Sequence, residues 1–175
     1  GIKRIEWGEN RFTGPIPSIV HELSSLQIFD VTDNLLTGSI DVASNLASLK
    51  ILKLGVNKFK GSIPSVLPQS LRVLEIQNNR FRGGIPPELG SLSYLERFTA
   101  KDNDLGGPVP IEVGLLAALE TLDLSFVGLT GTLPTELGKL NKIVDLNFDG
   151  NKITGEIPTE IGNLENMEKL NLQHN

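Results

Sequence analysis

The stretch Leu95–Pro110, L-E-R-F-T-A-K-D-N-D-L-G-G-P-V-P, carries a pattern that recurs along the whole chain. Ile143–Pro158 repeats it as I-V-D-L-N-F-D-G-N-K-I-T-G-E-I-P. The asparagine position recurs at 10, 34, 57, 79, 103, 127, 151 and 175, in steps of 24, 23, 22, 24, 24, 24 and 24 residues. A fixed period of this size is the signature of a stacked repeat architecture.

An asparagine occupies every one of these positions except the sixth, which is Val127. An amide side chain can donate and accept hydrogen bonds at once, so it can satisfy backbone groups that a turn leaves unpaired inside a stack. We therefore predict a structural asparagine ladder, whose members are Asn10, Asn34, Asn57, Asn79, Asn103, Asn151 and Asn175.

Apolar residues stand five and three positions before each ladder position, as Phe98 and Ala100 do before Asn103. Two apolar positions that are two residues apart predict a short strand with one buried face. A third apolar column lies eight positions before the ladder and runs from Ile2 to Met167. One repeat cannot bury such a strip alone, but stacked copies can, so we expect one shared core.

Glycine stands four positions after each of the first seven ladder positions, from Gly14 to Gly155. Proline stands seven positions after all of them except the second, where Asp41 replaces it. Glycine permits a turn with positive φ, and proline prevents a continuous helix. The shortest step, of 22 residues, leaves too little chain for a full convex turn, so we expect an extended crossing near Val66.

The consensus L-x-x-L-x-L-x-x-N-x-L-x-G-x-I-P resembles the leucine-rich repeat of the plant-specific subclass. The resemblance implies an α/β repeat solenoid, a right-handed curved horseshoe with a parallel concave β-sheet, further short strands near the Gly-x-Ile-Pro segments and short 3₁₀ turns on the convex side. We expect a single leucine-rich repeat domain over residues 1–175, with about seven repeats of 22–24 residues and uncapped at both ends. The chain would then be a fragment.

Similar repeats occur in receptor-like kinase ectodomains and in polygalacturonase-inhibiting proteins. The resemblance implies a non-catalytic recognition module for a protein, peptide or glycan ligand, with a co-receptor as a further partner. The alternatives are a structural or adhesive repeat spacer and a secreted inhibitor of a cell-wall-degrading enzyme. An extracellular or cell-surface setting is also implied, although the chain lacks the cysteines of paired caps and has no Asn-x-Ser/Thr sequon.

Composition excludes several other classes of function. Without cysteine there are no disulfides or thiolate sites, and a net charge of −5 argues against a nucleic-acid binder. No apolar run is long enough to insert into a membrane. Nucleotide-binding, nucleophile-elbow and zinc-protease motifs do not occur, so we predict no catalytic residues, no cofactor and no metal site.

One motif does match a metal site by its letters. The segment 145–156 satisfies the calcium-loop pattern D-x-[DN]-x-[DN]-G-x₅-E. However, Leu146 and Phe148 within it are core positions of a repeat strand, and a strand cannot wrap Glu156 around an ion. We therefore interpret the match as a coincidence of the repeat pattern.

The concave surface offers the first candidate binding site. Residues that alternate with the core pair should project from the sheet in rows along the solenoid. Phe126 is a large apolar side chain among these mostly polar rows, and exposed aromatics are common at recognition hot spots. The candidate partner-binding residues are Asp123, Phe126, Val127, Asp145, Asn147 and Asp149. The alternative is that Phe126 and Val127 pack together into the turn.

Charge distribution offers the second candidate. Residues 1–90 carry 10 basic and 8 acidic side chains, whereas residues 91–175 carry 6 and 13, which gives +2 and −7. Near the first four ladder positions, we predict a basic lateral patch made of Arg11, Lys58, Lys60, Arg80 and Arg82. It is either a solvated edge or a surface that steers an acidic partner.

Overall fold

The computed structural model describes residues 1–41 and 45–175, and in them all strands are short and pair in parallel. The strands are β1 (Arg4–Glu6), β2 (Thr13–Pro15), β3 (Ile28–Asp30), β4 (Leu35–Gly38), β5 (Ile51–Lys53), β6 (Lys58–Gly61), β7 (Val73–Glu75), β8 (Arg80–Phe81), β9 (Arg97–Thr99), β10 (Thr121–Asp123), β11 (Thr130–Gly131), β12 (Asp145–Asn147), β13 (Lys152–Ile153) and β14 (Lys169–Asn171).

Eight of these strands form the concave sheet, in the order β1-β3-β5-β7-β9-β10-β12-β14. Each strand pairs with its counterpart one repeat away, so that Leu122 lies opposite Phe98 on one side and Leu146 on the other. The central residue of each inner strand is fully buried, while its two neighbours are partly exposed. This confirms the predicted repeat solenoid with a parallel concave sheet.

The core columns are buried along most of the chain, and their exceptions lie in the first and last described repeats. Leu26, Leu49 and Leu95 have no exposed surface. Ile2 is 53% exposed and Leu170 is 37% exposed, although both stand in predicted core columns. Each of them lies in a repeat that has a described neighbour on one side, so stacking covers one flank of the side chain and leaves the other open.

A second, lateral set of strands follows the ladder positions. One sheet has the order β2-β4-β6-β8 and another pairs β11 with β13. The sheets are separated at the fifth repeat, where Asp104 forms an isolated bridge with Arg82. Gly106 and Gly107 follow with φ of 65° and 72°, and Pro108 has no N–H to donate, so the extended ladder stops there.

Short 3₁₀ helices lie on the convex side, each beginning directly after a proline in extended conformation. They span Ser18–Glu22, Pro87–Ser91, Ile111–Leu115, Thr135–Lys139 and Thr159–Asn163. Residues 62–68 contain no helical turn, which agrees with the extended crossing predicted for the 22-residue step.

Glycines let these helices pack closely. A Cβ at Gly90, Gly114 or Gly138 would lie within 2.5 Å of the backbone oxygen of a glutamate in the next helix. At Gly162 a Cβ would meet no atom within 4 Å. The first three glycines are therefore required by contact with the next helix, and Gly162 lies in the last convex helix described.

The residue just before each ladder position has positive φ in all eight repeats. Seven of the eight are not glycine, and their φ angles lie between 51° and 56°. The set comprises Glu9, Asp33, Val56, Asn78, Asp102, Phe126, Gly150 and His174. This left-handed residue turns the chain from the concave strand toward the lateral strand.

Among the described residues, no helix is long and apolar enough to cross a membrane.

Candidate functional site

Parallel pairing brings the polar members of the concave candidate site together. Thr121 lies opposite Asp145, and Asp123 lies opposite Asn147, in the paired strands β10 and β12. Adjacent strands are about 4.8 Å apart, and alternate residues share one face of a sheet. Asp123, Asp145 and Asn147 therefore lie on one concave surface, and Asp149 follows at the end of β12.

Two of these residues also hold the local turn. The Asp123 Oδ1 atom accepts hydrogen bonds from the backbone N–H of Ser125 at 3.0 Å and from its hydroxyl at 2.6 Å. The Asn147 Oδ1 atom accepts the Asp149 N–H at 3.1 Å. Such bonds from Asp or Asn to the residue two positions on are a common way to stabilise a turn. Asp123 and Asn147 thus have a structural role whether or not a partner binds.

Asp145 and Asp149 have fewer local bonds. The Asp145 Oδ2 atom lies 3.4 Å from the Lys169 amino group, and its Oδ1 atom is buried without a hydrogen-bond partner among the described residues. The Asp149 Oδ1 atom lies 2.7 Å from the His174 Nδ1 atom, and the Asp149 side chain is 16% exposed. The Oδ1 atom is out of a ligand's reach, so the exposed part of the Asp145 carboxylate is its Oδ2 side, next to Lys169.

Phe126 lies next to Asp149, and its ring packs over Gly150. It is 46% exposed, has a φ of 53°, and donates its backbone N–H to the backbone oxygen of Asp149 at 2.8 Å. Its ring covers Gly150, because a Cβ built there would lie 2.2 Å from the Phe126 Cε1 atom. The absence of a side chain at Gly150 thus creates the space in which the ring lies.

Val127 has a different position from that of Phe126. Its side chain is fully buried in the core, so a partner on the concave surface could not touch it. The two residues do not pack into the turn together, because only Val127 points inward while Phe126 stays half-exposed. Val127 is therefore left out of the proposed binding surface below.

The asparagines form the hydrogen bonds that link successive turns. Asn34, Asn57, Asn79 and Asn103 each accept a backbone N–H from the preceding repeat, at 2.9–3.0 Å. Their amide groups donate to backbone oxygens of their own turn and of the preceding one. Asn10 donates within its own turn, and Asn175 accepts the Ile153 N–H at 3.0 Å. At Val127 this link is missing.

Four of the five residues of the basic lateral patch lie together. Lys58 and Lys60 are on β6, Arg80 is on β8, and Arg82 follows it. Arg11 is apart from them, because it precedes β2 and the strand β4 lies between β2 and β6. It lines a separate surface hollow with Glu9 and Asp33.

The calcium-loop letters fall on ordinary repeat structure. Asp145 and Asn147 are in the strand β12, and Lys152–Ile153 is the lateral strand β13. Within residues 1–41 and 45–175, no group of three or more His, Cys, Asp or Glu side chains is placed to hold a metal ion.

Two contact residues were not evident from the sequence. Gly150 supports the Phe126 ring, and His174 pairs with Asp149, each across one repeat. The available signal was the column before the ladder positions, in which Gly150 is the one residue without a side chain.

Comparison with known proteins assigns the fold to a family. The leucine-rich repeat family model, Leucine Rich Repeat, matches residues 70–92, 118–140 and 142–164. The ectodomain of the Arabidopsis receptor kinase HAESA superposes with a TM-score of 0.93 at 34% identity, over 98% of this chain and 30% of that one. The chain is a plant-type leucine-rich repeat protein. Its sequence pattern and its stacked parallel strands thus agree with the predicted family.

Two further proteins support this assignment. The GASSHO1/SCHENGEN3 ectodomain of Arabidopsis thaliana has a TM-score of 0.89 at 30% identity and covers 98% of this chain and 24% of that one. The receptor protein kinase WSS1 of Oryza sativa subsp. japonica is 42% identical over 57 residues, which are 32% of this chain and 6% of that protein. This leucine-rich repeat chain thus spans less than a third of each of these proteins.

Proposed function

We propose that this chain is a non-catalytic recognition module that belongs to the ectodomain of a receptor-like protein and binds a peptide on its concave surface. HAESA is described in complex with the peptide hormone IDA and the co-receptor SERK1, and GASSHO1/SCHENGEN3 with CASPARIAN STRIP INTEGRITY FACTOR 2. These similar folds favour a peptide ligand, and a co-receptor as a second partner, over a glycan.

The exposed Phe126 ring is the observation that carries the proposal. Hot-spot residues are often aromatic, and a ring already fixed in one orientation loses little conformational entropy when a partner covers it. Phe126 meets both conditions, since it is 46% exposed and packs on Gly150. An apolar side chain of the ligand would cover the free face of the ring.

Negative charge on the concave surface favours a basic ligand. Asp145 and Asp149 lie on the same surface, and residues 91–175 carry a net charge of −7. The Asp145 side chain is 36% exposed, and its Oδ2 atom already lies 3.4 Å from the Lys169 amino group, so a cation of the ligand would take the place of Lys169 or share the carboxylate with it. A lysine or arginine near an apolar residue would satisfy both features of the surface.

The test uses an array of random twelve-residue peptides, from which binders are measured by calorimetry. We expect enrichment of peptides with Lys or Arg beside an aromatic or branched residue, and at least a tenfold loss of affinity in Phe126→Ala and in Asp145→Asn. Tyr94→Ala is the matched control, because Tyr94 is 58% exposed but lies in the turn before β9.

Thermal unfolding separates binding from folding in these variants. The proposal requires Phe126→Ala to unfold within a few degrees of the parent chain while its affinity falls. Equal losses of affinity in Tyr94→Ala and Phe126→Ala would reject the concave site. So would enrichment of acidic peptides whose affinity is unchanged by Phe126→Ala and by Asp145→Asn.

A further inference from the structure

We propose a second binding surface on the lateral sheet, which takes an extended acidic segment of a partner protein. It consists of the lateral cation cluster, defined as Lys58, Lys60, Arg80 and Arg82, together with the cleft that follows it. The surface differs from the proposed peptide site in location and in charge sign.

Strand register places these cations in a staggered row. Lys60 on β6 lies opposite Arg80 on β8, while Lys58 and Arg82 extend the row in opposite directions along the strands. The residues between them, Phe59 and Phe81, are fully buried. Because side chains alternate across a sheet, all four cations point to the solvent face, and all four are exposed.

The cluster has few acidic neighbours. Arg82 pairs with Asp104, with 3.2 Å between its Nε atom and the carboxylate. For Lys58, Lys60 and Arg80, the described part of the chain supplies no carboxylate within salt-bridge distance. Like charges directly opposite each other, as in Lys60 and Arg80, destabilise a sheet. An anionic partner would remove this repulsion.

An apolar cleft adjoins the cluster. The lateral sheet ends at β8, and Gly83 and Gly84 then turn the chain with φ of 88° and 82°. The interruption at the fifth repeat leaves a cleft of about 570 Å³. Its walls include Ile85, Leu105, Pro108 and Pro110, and Glu112 is its one acidic lining residue, so the ligand residue that enters the cleft should be apolar and not acidic. The cleft is open to solvent and begins directly after Arg82.

The spacing of these features fits an extended peptide. Alternate residues of a strand are about 6.6 Å apart, both in β6 and β8 and in an extended ligand. A ligand that runs along the strands with acidic side chains at alternate positions would therefore meet Lys58 first, then the opposed pair Lys60 and Arg80, and then Arg82. An apolar residue that follows them would reach the cleft beyond Arg82. We accordingly assign the surface to an acidic peptide segment with a trailing apolar residue.

Fluorescence anisotropy with the labelled probe peptide Asp-Thr-Asp-Thr-Asp-Thr-Leu tests this assignment. We expect saturable binding that weakens as salt is raised, and at least a tenfold increase in Kd in the double variant Lys60→Glu/Arg80→Glu. Lys139→Glu is the charge control, because Lys139 lies in a convex 3₁₀ helix. Replacing the last residue of the probe by Ser should weaken binding at least threefold if the cleft is used.

Two outcomes would overturn the proposal. One is equal loss of affinity in Lys139→Glu and in the double variant, which would indicate a non-specific charge effect. The other is binding of polyphosphate or polygalacturonate at concentrations at which the peptide does not bind, which would assign the cluster to a polymeric anion. Circular dichroism must be unchanged in every variant. Phe126→Ala should leave probe binding intact, so failure here does not bear on the concave site.

Discussion

Asn151 shows at the scale of one residue how a repeat is joined to its neighbour. It is buried, and its amide makes hydrogen bonds with two repeats at once. Its Oδ1 atom accepts the N–H groups of Val127 at 3.2 Å and Leu129 at 2.9 Å. Its Nδ2 atom donates to the backbone oxygens of Leu124, Phe148 and Asp149. The amide has an acceptor oxygen and a separate nitrogen with two N–H donors, whereas a Ser or Thr hydroxyl has one O–H donor on the same atom that accepts.

Asn151→Ala should therefore destabilise the chain strongly. The substitution leaves buried backbone groups unpaired, each at a cost of about 1–3 kcal/mol, so we expect a loss of roughly 2–4 kcal/mol in the free energy of unfolding. Urea denaturation monitored by circular dichroism measures it. Asn10→Ala is the control, because the exposed Asn10 bonds to Trp7 and Gly8 of its own turn. Equal losses in both variants would show that links between repeats are not what the ladder supplies.

At the scale of one element, the convex 3₁₀ helices depend on glycine for close packing. A Cβ on Gly114 would lie 2.3 Å from the Glu136 backbone oxygen, and one of the two helices would have to move. Gly162 has the same place in its own helix, but a Cβ there meets open space. The two glycines thus form a natural pair for comparison.

Gly114→Ala should cost about 2–3 kcal/mol of stability through steric overlap. Gly162→Ala should be neutral or stabilise by about 0.5 kcal/mol, since alanine restricts the unfolded chain more than glycine does. Thermal unfolding of the two variants checks the difference. Similar midpoints for both would contradict the close approach of the convex helices.

At the scale of the whole molecule, each repeat contacts mainly its neighbours, so stability should be distributed along the solenoid. Phe98 is fully buried near the middle of the concave sheet, and Phe98→Ala should cost about 3–5 kcal/mol. We expect amide hydrogen exchange to accelerate most in β7, β9 and β10. Protection in β3 and β12 should fall less, because those strands do not pair with β9. A uniform loss of protection in every strand would instead indicate one fully cooperative unit.

The repeat architecture could be predicted from sequence because its determinants are periodic. The pairing of Leu122 with Phe98 and Leu146 follows from the 24-residue step alone, and so does the burial of that column. The left-handed residue before each ladder position could not be predicted in the same way. Its occupants include Val56 and Phe126, and neither residue type favours positive φ.

The candidate site was predictable in part. The sequence period predicts the strand register, and therefore predicts that Asp123, Asp145 and Asn147 share the concave surface. They did not reveal that Val127 points inward and Phe126 outward, since the two are adjacent in a turn whose backbone is irregular. The contact between Phe126 and Gly150 joins residues 24 positions apart and depends on the exact path of both turns.

The close contacts at Gly90, Gly114 and Gly138 also bear on how strongly the molecule bends. Hydrogen bonding fixes the spacing of strands on the inner side of the arc, whereas side-chain bulk sets the spacing of helices on the outer side. Glycine shortens the distance between neighbouring convex helices toward the distance between neighbouring concave strands, and this flattens the arc over repeats four to seven. The radius of the arc is thus adjustable by single methyl groups on the back of the molecule, far from any ligand on its inner face.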